Sequence, residues 1–348
     1  MLNHIIFMSG GLASFSVADY VKCKFPDDNI VLYFTDTLWE NDDLYRFIKE
    51  ASDKLQLPML IHSLGLNPIE LMFELKLVFN NLIGECSKVL KMKVASDFLK
   101  KRKRPAIEEW RNQQYLKNDD FIENAILYFG IGFEELHREK AIVENWHPFV
   151  VKMPLIEQHI DHDETLRKYN IKKPLLYHLG FSHNNCNGRC VKAGRTHFSN
   201  LKQKMPFVYQ DLLEKEYHMS LYVSSYRYLK DMESDGRDGW NEEVREMFLA
   251  ELDEAYRDYF YGRAARPKVY IHPAASSVEM NIRMYSFMKK KSGDPIVVLE
   301  KNEEGIEETK IKYPSKPYLL RDFNMDVEVK GIQMDMFDIG GCGCFVSF

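Results

Sequence analysis

The feature that most constrains the fold is a Ser-Gly-Gly loop near the N-terminus, set between an apolar run and an amphipathic segment. Residues 5–8 are apolar, Ser9, Gly10 and Gly11 follow, and residues 12–22 show helical spacing. This order predicts a strand, a tight loop and a helix. Adjacent glycines let a ligand approach the backbone, and the helix offers unpaired N–H groups to an anion. With its Ser9 and Ser14 hydroxyls, the loop predicts a phosphate site.

Strand and helix patterns alternate after this loop. Residues 30–35 and 59–62 have the composition of strands, a helical pattern at 42–55 separates them, and 122–129 follows as a later strand. Such alternation predicts an α/β domain with a parallel sheet. Ligands of such sheets bind beyond the carboxyl ends of the strands. Asp36, directly after the second strand, is therefore expected beside the loop.

The pattern changes beyond residue 200. Amphipathic helices are predicted at 207–228 and 241–261, and strand-like runs at 269–272, 295–300 and 307–313. We therefore divide the chain into a nucleotide-binding domain at 1–200 and a second region at 201–348, helical first and then strand-rich, with a cysteine-containing tail. Within the first domain, residues 67–98 are predicted to be helical and to end at a basic run.

Charge and hydropathy exclude some classes of function. The chain has 47 Lys and Arg against 52 Asp and Glu, so wholesale coating of nucleic acid is not expected. The basic run at 100–104 is interpreted either as a helix end or as a local patch for DNA or tRNA. No segment reaches the roughly 18 apolar residues of a membrane span, and the N-terminus lacks a secretion signal. We expect a cytoplasmic protein without membrane partners.

The cysteines form two close pairs, Cys186 with Cys190 and Cys342 with Cys344. Thiolates spaced this closely and joined by glycine suit metal chelation. Two such pairs predict one shared site, and four thiolates suit zinc and an iron–sulfur cluster alike. Buried structural thiols are the alternative for the first pair. Cys23, inside the first predicted helix, is expected to be a small core residue.

Several segments, taken in order, resemble the PP-loop ATP pyrophosphatases, in particular the phosphoadenosine-phosphosulfate reductase-like branch. That branch includes sulfonucleotide reductases and DNA phosphorothioation proteins. The similar segments are 9–14 (Ser-Gly-Gly-x-x-Ser), 36–40 (Asp-Thr-Gly), 86–91 (Cys-x-x-x-x-Lys), 130–138 (Gly-Ile-Arg-x-x-Glu-Ser-x-x-Arg), 154–156 (Pro-Leu), and 174–177 with 180–181 (Tyr-x-x-Gly-Tyr before a cysteine pair). The resemblance spans roughly residues 4–200 and implies a Rossmann-like, adenine nucleotide alpha hydrolase-like sheet.

The resemblance also implies roles for individual residues. ATP would be bound by Ser9, Gly10, Gly11, Ser14 and Asp36. The candidate catalytic residues are Lys88, Lys91, Arg138 and Cys86, the last of which lies where the branch often has a cluster ligand. The resemblance also favours a 4Fe-4S cluster over zinc at Cys186, Cys190, Cys342 and Cys344.

The chain departs from the family pattern at the loop itself. Family members usually carry Lys-Asp where this chain has Leu12-Ala13, and an arginine where it has Gly132. These changes remove a cation that pairs with phosphate and a contact for magnesium. We therefore expect these changes to weaken hydrolysis of the nucleotide more than binding of an anion by the loop.

Three hypotheses of function follow. In the first, ATP with Mg²⁺ adenylates a substrate, pyrophosphate leaves, and sulfur displaces AMP in nucleic-acid or nucleotide modification. In the second, a tail cysteine reduces a sulfonucleotide. In the third, the chain is a catalytically weakened nucleotide-binding subunit with protein partners in a defence or modification complex. Pyrophosphate release separates the first from the third, and sulfite release identifies the second.

Overall fold

The computed structural model describes residues 1–80, 83–231, 241–270, 284–291, 296–301, 307–312 and 314–322. These residues form two units. The first includes Met1–Leu71 and Gly84–Val208, and the second falls within Met72–Ile83 and Tyr209–Glu328. Cys342 and Cys344 lie outside the described residues. No helix in the described part of the chain has the length and apolar character needed to cross a membrane.

The first unit contains a six-stranded sheet. Its strands are β1 (Asn3–Phe7), β2 (Asn29–Asp36), β3 (Met59–Ser63), β4 (Ile107–Arg111), β5 (Ile126–Tyr128) and β6 (Val150–Lys152). Their spatial order is β4-β3-β2-β1-β5-β6, and neighbouring strands are parallel except for β3 and β4. The predicted α/β fold with a mostly parallel, Rossmann-like sheet is confirmed.

Helices connect these strands. They are α1 (Leu12–Lys24), α2 (Asp42–Leu55), α3 (Pro68–Leu75), α4 (Val94–Lys101), α5 (Glu139–Trp146), α6 (Pro154–Glu157), α7 (His162–Tyr169), α8 (Leu175–His178) and α9 (Arg195–Lys204). A π-helix, Ser87–Lys93, runs directly into α4. The bounds of α2 match the prediction, because its apolar positions recur at helical spacing and Asn41 accepts a hydrogen bond from the Asp43 nitrogen at its start.

Both faces of the sheet are buried. Successive side chains of a strand point to opposite faces, so neighbouring residues of β1 enter different cores. Ile6 belongs to the core that includes Phe47 of α2, whereas Ile5 belongs to the core that includes Leu99 of α4 and Trp146 of α5. Ile5, Ile6, Phe47 and Trp146 are fully buried, and Leu99 is nearly so. Helices on both faces therefore fix the sheet whose carboxyl edge carries the loop.

Three expectations about the first unit need correction. The predicted strand at 122–129 is confined to β5, because Asn124 adopts φ +51° in the turn before it. The helical stretch predicted at 67–98 is divided into α3, the π-helix and α4. Cys23 is exposed, so its assignment to the core was wrong. Its sulfur lies 3.2 Å from the Lys168 ammonium and 3.5 Å from an Asp19 oxygen, on the polar face of α1.

The second unit contains the long helices α10 (Pro206–Asp231, which begins before the unit) and α11 (Glu242–Phe260). Four short strands form two antiparallel pairs. They are β7 (Met288–Lys291) with β10 (Ser315–Tyr318), and β8 (Ile296–Lys301) with β9 (Glu307–Lys312). Both predicted helices are confirmed, and so are the two predicted strands over their described residues, 296–300 and 307–312. Of the run predicted at 269–272, the described residues 269 and 270 form no strand.

A buried carboxyl group joins α10 to the strand region of the second unit. One Glu216 oxygen accepts from the Phe287 nitrogen at 2.8 Å, and the other accepts from the Leu320 nitrogen at 2.6 Å. Burial raises the pKa of Glu216 to about 8, against the opposing effect of the two N–H donors. Glu216 is therefore expected to be a neutral acid at neutral pH where it links α10 to residues beside β7 and β10.

Candidate functional site

The Ser-Gly-Gly loop is held in shape by its own hydroxyl groups. Gly10 has φ +80°, a left-handed conformation that favours glycine. The Ser14 hydroxyl donates to the Gly11 carbonyl at 2.9 Å and accepts from the Ser9 nitrogen at 3.2 Å. The loop therefore delivers the chain from β1 into the first turn of α1 in one fixed conformation.

The loop opens on the switch point of the sheet. β2 lies on one side of β1 and β5 on the other, so the connections diverge and leave a crevice at the carboxyl ends. A cavity of about 230 Å³ lies there. Its lining includes Ser9, Gly11, Ala13, Gly130, Arg138 and His183. The two segments at 9–14 and 130–138, far apart in sequence, thus meet at one cavity.

A tyrosine from α8 closes over the start of α1. The Tyr177 hydroxyl accepts a hydrogen bond from the Leu12 nitrogen at 3.4 Å and lines the same cavity. Burial raises the pKa of Tyr177, so the hydroxyl stays protonated at neutral pH. Because it can also donate, Tyr177 can serve an anion bound at the helix N-terminus.

Arg138 and Glu135 form a buried ion pair in the wall of the cavity. Both side chains are about 7% exposed, at the end of the 3₁₀ helix Phe133–Arg138. Burial lowers the pKa of Arg138 and raises the pKa of Glu135. Removing two charges from water costs free energy, and such pairs recur at functional sites. Arg138 is therefore positioned to meet an anion in the cavity.

The cavity residues that the sequence analysis missed include His183, Asn184 and Asn185. The Asn184 amide nitrogen donates to the Gly10 carbonyl at 2.9 Å, which joins this segment to the phosphate loop. Burial lowers the pKa of His183 to about 3, so its imidazole is neutral. The three residues precede the cysteine pair, and that proximity was the one signal in the sequence that could have identified them.

A second, wider cavity of about 610 Å³ adjoins the first. The two share Leu12, Ala13, Glu134 and His162 in their linings. Leu12 and Ala13, on the first turn of α1, have apolar side chains. A molecule in the wider cavity can therefore approach a second molecule bound at the loop.

A separate cluster surrounds Lys91 of the π-helix. The Lys91 ammonium lies 3.7 Å from Glu40, and both side chains are buried. Burial disfavours the charge of Lys91, yet Glu40 and the nearby thiols of Cys186, Cys86 and Cys190 raise its pKa. Lys91 therefore supplies a positive charge to a group of cysteines.

Two of these cysteines interact directly. The Cys186 thiol donates to the Cys190 sulfur, which raises the pKa of Cys186 and lowers the pKa of Cys190 to about 7. Burial raises the pKa of Cys86 to about 11. Cys190 is thus the thiol of this group that most readily becomes a thiolate.

The cysteine hairpin is anchored to the loop that follows β2. The Cys186 nitrogen donates to Glu40, and the Asn41 side-chain amide donates to the Asn187 Oδ1 at 2.7 Å. The Arg189 guanidinium lies 3.3 Å above the centre of the Trp39 ring. The segment at 36–41 therefore holds the hairpin in place.

Asp36 has a local structural role within that segment. One carboxylate oxygen accepts from the Leu38 nitrogen and from the Tyr45 hydroxyl, each at 2.8 Å. Burial raises the pKa of Asp36. Among the described residues that line the cavity of about 230 Å³, Ser9, Gly11 and Arg138 are present and Asp36 is not.

The two predicted lysines lie away from that cavity. Lys88 pairs with Glu85 at 3.1 Å, and Lys91 lies with the cysteines. Within the described ranges, no three His, Cys, Asp or Glu side chains are arranged to hold a metal ion. Cys186 and Cys190 offer two neighbouring sulfur ligands, and the remaining two predicted ligands fall outside those ranges.

The basic run at 100–104 begins in the last turn of α4 and continues beyond its end, and several of its charges have partners. The pairs are Lys101 with Asp97 at 2.7 Å, Arg102 with Asp120 at 3.1 Å and Arg104 with Glu108 at 3.4 Å. These carboxylates reduce the positive field available to a polyanion.

Residues 3–115 match a family described as "Phosphoadenosine phosphosulfate reductase domain". The match covers β1 to β4, including the loop, Asp36 and the segment 86–91. Arg138 and the cysteine hairpin lie beyond it. No curated protein and no solved structure shows a significant match to the chain. The geometry of the loop agrees with this match: residues 3–115 are similar to the phosphoadenosine phosphosulfate reductase domain, which is a branch of the PP-loop ATP pyrophosphatase superfamily.

Proposed function

We propose that the protein binds ATP in the cavity of about 230 Å³ and uses it to adenylate a substrate. The observation that carries this proposal is the meeting of the loop, the start of α1 and Arg138 around one cavity at the switch point of the sheet. The N-terminus of a helix favours anions, and a buried guanidinium adds a fixed positive charge. The phosphates would lie on the loop, with Gly10 and Gly11 in contact with them and the hydroxyls of Ser9 and Ser14 beside them.

The reaction begins at the α-phosphorus of ATP. An oxygen of the substrate attacks this atom, the bond to the β-phosphate bridging oxygen breaks, and pyrophosphate leaves. Arg138 and the N–H groups at the start of α1 stabilise the charge that shifts onto the phosphate oxygens. The product is an adenylated substrate whose activated oxygen can leave with AMP.

The cysteine cluster suits a following transfer of sulfur. Sulfide supplied by a separate donor and held at this cluster would form a bond to the activated atom of the substrate while AMP departs with the original oxygen. The charge of Lys91 lowers the pKa of the neighbouring thiols, and Cys190, whose pKa is about 7, is the one that most readily becomes a thiolate. In this proposal Lys91 acts on sulfur, Arg138 acts on phosphate, and Lys88 is a more distant cation.

We also propose the metal site predicted from the cysteine pairs. Cys186 and Cys190 would hold an iron–sulfur cluster, or zinc, together with Cys342 and Cys344, with Cys86 as the competing ligand. Such a cluster would hold or activate sulfur for transfer, and zinc would fix the hairpin.

The acceptor would enter through the wider cavity, which shares the first turn of α1 with the nucleotide cavity. Nucleic acid and free nucleotides are the acceptor classes that the family branch suggests. Glu157 and Asp163 line the wider cavity, so DNA or tRNA would have to present a base or a chain end there rather than its phosphate backbone.

A second candidate is a nucleotide-binding subunit of a larger complex with little catalysis of its own. The observation that favours it is the lining of the nucleotide cavity, which in the described residues includes no lysine. Without a flexible ammonium at the phosphates, hydrolysis would be slow even where ATP binds well.

Pyrophosphate release tests these proposals. The purified protein is incubated with ATP and with DNA, tRNA or free nucleotides, and pyrophosphate is measured beside a Gly11→Val variant. Acceptor-dependent release that the variant loses supports adenylation. ATP binding without release under every condition supports the subunit, and sulfite released from a sulfonucleotide would replace both with the reductase alternative.

A further inference from the structure

Two amide oxygens in the nucleotide cavity lack hydrogen-bond donors. Asn184 and Asn185 are 1% and 4% exposed, and both line the cavity. Among the described residues, neither Oδ1 atom has a hydrogen-bond partner. A buried acceptor without a partner has lost its hydrogen bonds to water and gained none in return. A ligand that binds here is therefore expected to bring groups that satisfy both oxygens.

The orientation of the Asn184 amide is fixed by its other end. Its Nδ2 donates to the Gly10 carbonyl at 2.9 Å, and a flipped amide would place two oxygens against each other. The unsatisfied atom is therefore an oxygen. Because Gly10 belongs to the phosphate loop, this oxygen lies at the phosphate end of the cavity.

An oxygen acceptor at that end cannot contact a phosphate oxygen favourably. The remaining charge of the cavity adds to this difficulty. Among the described residues that line it, Arg138 is the one Lys or Arg, and it is paired with Glu135, while Glu134 adds a second carboxylate. Burial lowers the pKa values of His183 and His162, so neither imidazole adds positive charge at neutral pH.

The charge balance calls for a cation that arrives with the nucleotide. We propose that the Oδ1 atoms of Asn184 and Asn185 are ligands of a Mg²⁺ ion that bridges the protein and the nucleotide phosphates. Mg²⁺ prefers oxygen ligands, keeps several waters and commonly binds through a few protein oxygens together with substrate phosphates. This inference rests on the proposed nucleotide binding. Through Asn184 and Asn185, that binding would depend on the cation.

Donor groups of the nucleotide itself are the alternative. The adenine amino group or the ribose hydroxyls could also satisfy an amide oxygen. The bond from Asn184 to Gly10 favours the cation, because it holds the side chain beside the loop that receives phosphates.

The test compares ATP binding by titration calorimetry with excess MgCl₂ and with EDTA. The proteins are the wild type, Asn185→Ala, Asn185→Asp and Asn184→Ala. Asn200→Ala is the matched control, because the Asn200 amide donates to the Leu179 carbonyl at 3.0 Å and lies outside the lining of the cavity. Asn185 is the cleaner position, since its substitution leaves the bond from Asn184 to Gly10 in place.

The wild type and Asn200→Ala are expected to gain roughly tenfold or more in affinity from Mg²⁺. Asn185→Ala should lose most of that gain and keep the affinity measured in EDTA. Asn184→Ala should lose the gain as well, and its affinity in EDTA should also fall because its bond to the Gly10 carbonyl is removed. Asn185→Asp should bind ATP more tightly with Mg²⁺ and more weakly in EDTA, a pattern that a merely structural role would not produce.

Equal weakening of Asn185→Ala in both buffers would overturn the inference and assign the amides to adenine or ribose. Unchanged binding by all variants would also overturn it while leaving the proposed nucleotide site intact. If the wild type binds no ATP in either buffer, the proposed function itself is wrong.

Discussion

Gly130, just after β5, lies so close to the first turn of α1 that a Cβ at this position would be 2.7 Å from the Ser14 nitrogen. Because Gly130 has no side chain, the first turn of α1 packs directly against the end of β5. Since both residues belong to segments that meet at the cavity of about 230 Å³, this approach sets the spacing between the Ser-Gly-Gly loop and the segment that carries Arg138.

Replacement of Gly130 by alanine is therefore expected to displace the loop. Backbone atoms cannot rotate away as a flexible side chain can, so we expect a loss of about 1–3 kcal/mol in the free energy of unfolding, together with weaker ATP binding. Denaturant unfolding and calorimetry measure the two effects. Gly132→Ala is the control, because a Cβ there would meet only the flexible Glu134 carboxylate. Equal stability of the two variants would contradict this packing.

Leu38 adopts φ +53°, a conformation that costs a non-glycine residue about 1–2 kcal/mol. It stands where the resembling Asp-Thr-Gly segment has glycine, and its side chain is 42% exposed, so little apolar burial compensates. Leu38→Gly is expected to raise the free energy of unfolding by up to about 1 kcal/mol, after the entropy cost of glycine. Leu38→Val should lower it, because β-branched residues tolerate this conformation least. Chemical denaturation that ranks valine above glycine would contradict the expectation.

Glu216 predicts a pH dependence of stability. Its folded pKa of about 8 lies above the ordinary value of 4.5, so the unfolded chain releases this proton first as pH rises. The contribution of Glu216 is complete below about pH 4.5, falls between about pH 4.5 and 8, and is then lost. Unfolding of the full chain should need less denaturant near pH 9 than near pH 6. Glu216→Gln should flatten this difference, and an unchanged difference in the variant would rule the assignment out.

The metal proposal is tested by the cysteines themselves. Replacement of Cys342 and Cys344 by serine should remove bound iron or zinc and lower the melting temperature, because a metal held by ligands distant in sequence stabilises only the folded chain. Cys23→Ser should do neither, since Cys23 is exposed on α1. Full metal content in the double variant would exclude the tail as a ligand, assign Cys86 to the site and favour a redox role for the tail.

The features predictable from sequence were those with a local cause. β1, the loop and α1 follow from an apolar run, adjacent glycines and helical spacing, and α2 follows from its periodicity and its Asn41 cap. β4 has the sequence Ile-Glu-Glu-Trp-Arg at the sheet edge, where half-exposed charges hide the alternation of a strand. Cys23 was assigned to the core from its residue type, but its position on α1 faces Asp19 and Lys168.

The parts of the site that depend on tertiary contacts could not be predicted in the same way. Lys91 and Arg138 are both cations in segments that resemble the family. Lys91 is buried beside Glu40 and lies with the cysteines, whereas Arg138 is buried beside Glu135 and lies at the cavity. Asn184 looks like an ordinary loop residue until its bond to Gly10 brings it to the phosphate loop.

The central claim is that nucleotide binds at the loop, and Gly11 is the residue at which to test it. Gly11 has φ −94°, which any residue tolerates, and it lines the cavity. Gly10 is unsuitable, because its φ is +80° and a Cβ would lie 2.6 Å from Leu44, so a variant there would lose stability for unrelated reasons.

The decisive measurement is the affinity for ATP of the wild type and of Gly11→Val, each with its unfolding curve. The valine side chain would extend from a position whose Cβ already lies 3.1 Å from the Tyr177 hydroxyl. We predict that the variant remains folded and binds ATP at least roughly tenfold more weakly, a loss of about 1.4 kcal/mol or more. A folded Gly11→Val protein that binds ATP as tightly as the wild type would show that the loop is not the nucleotide site.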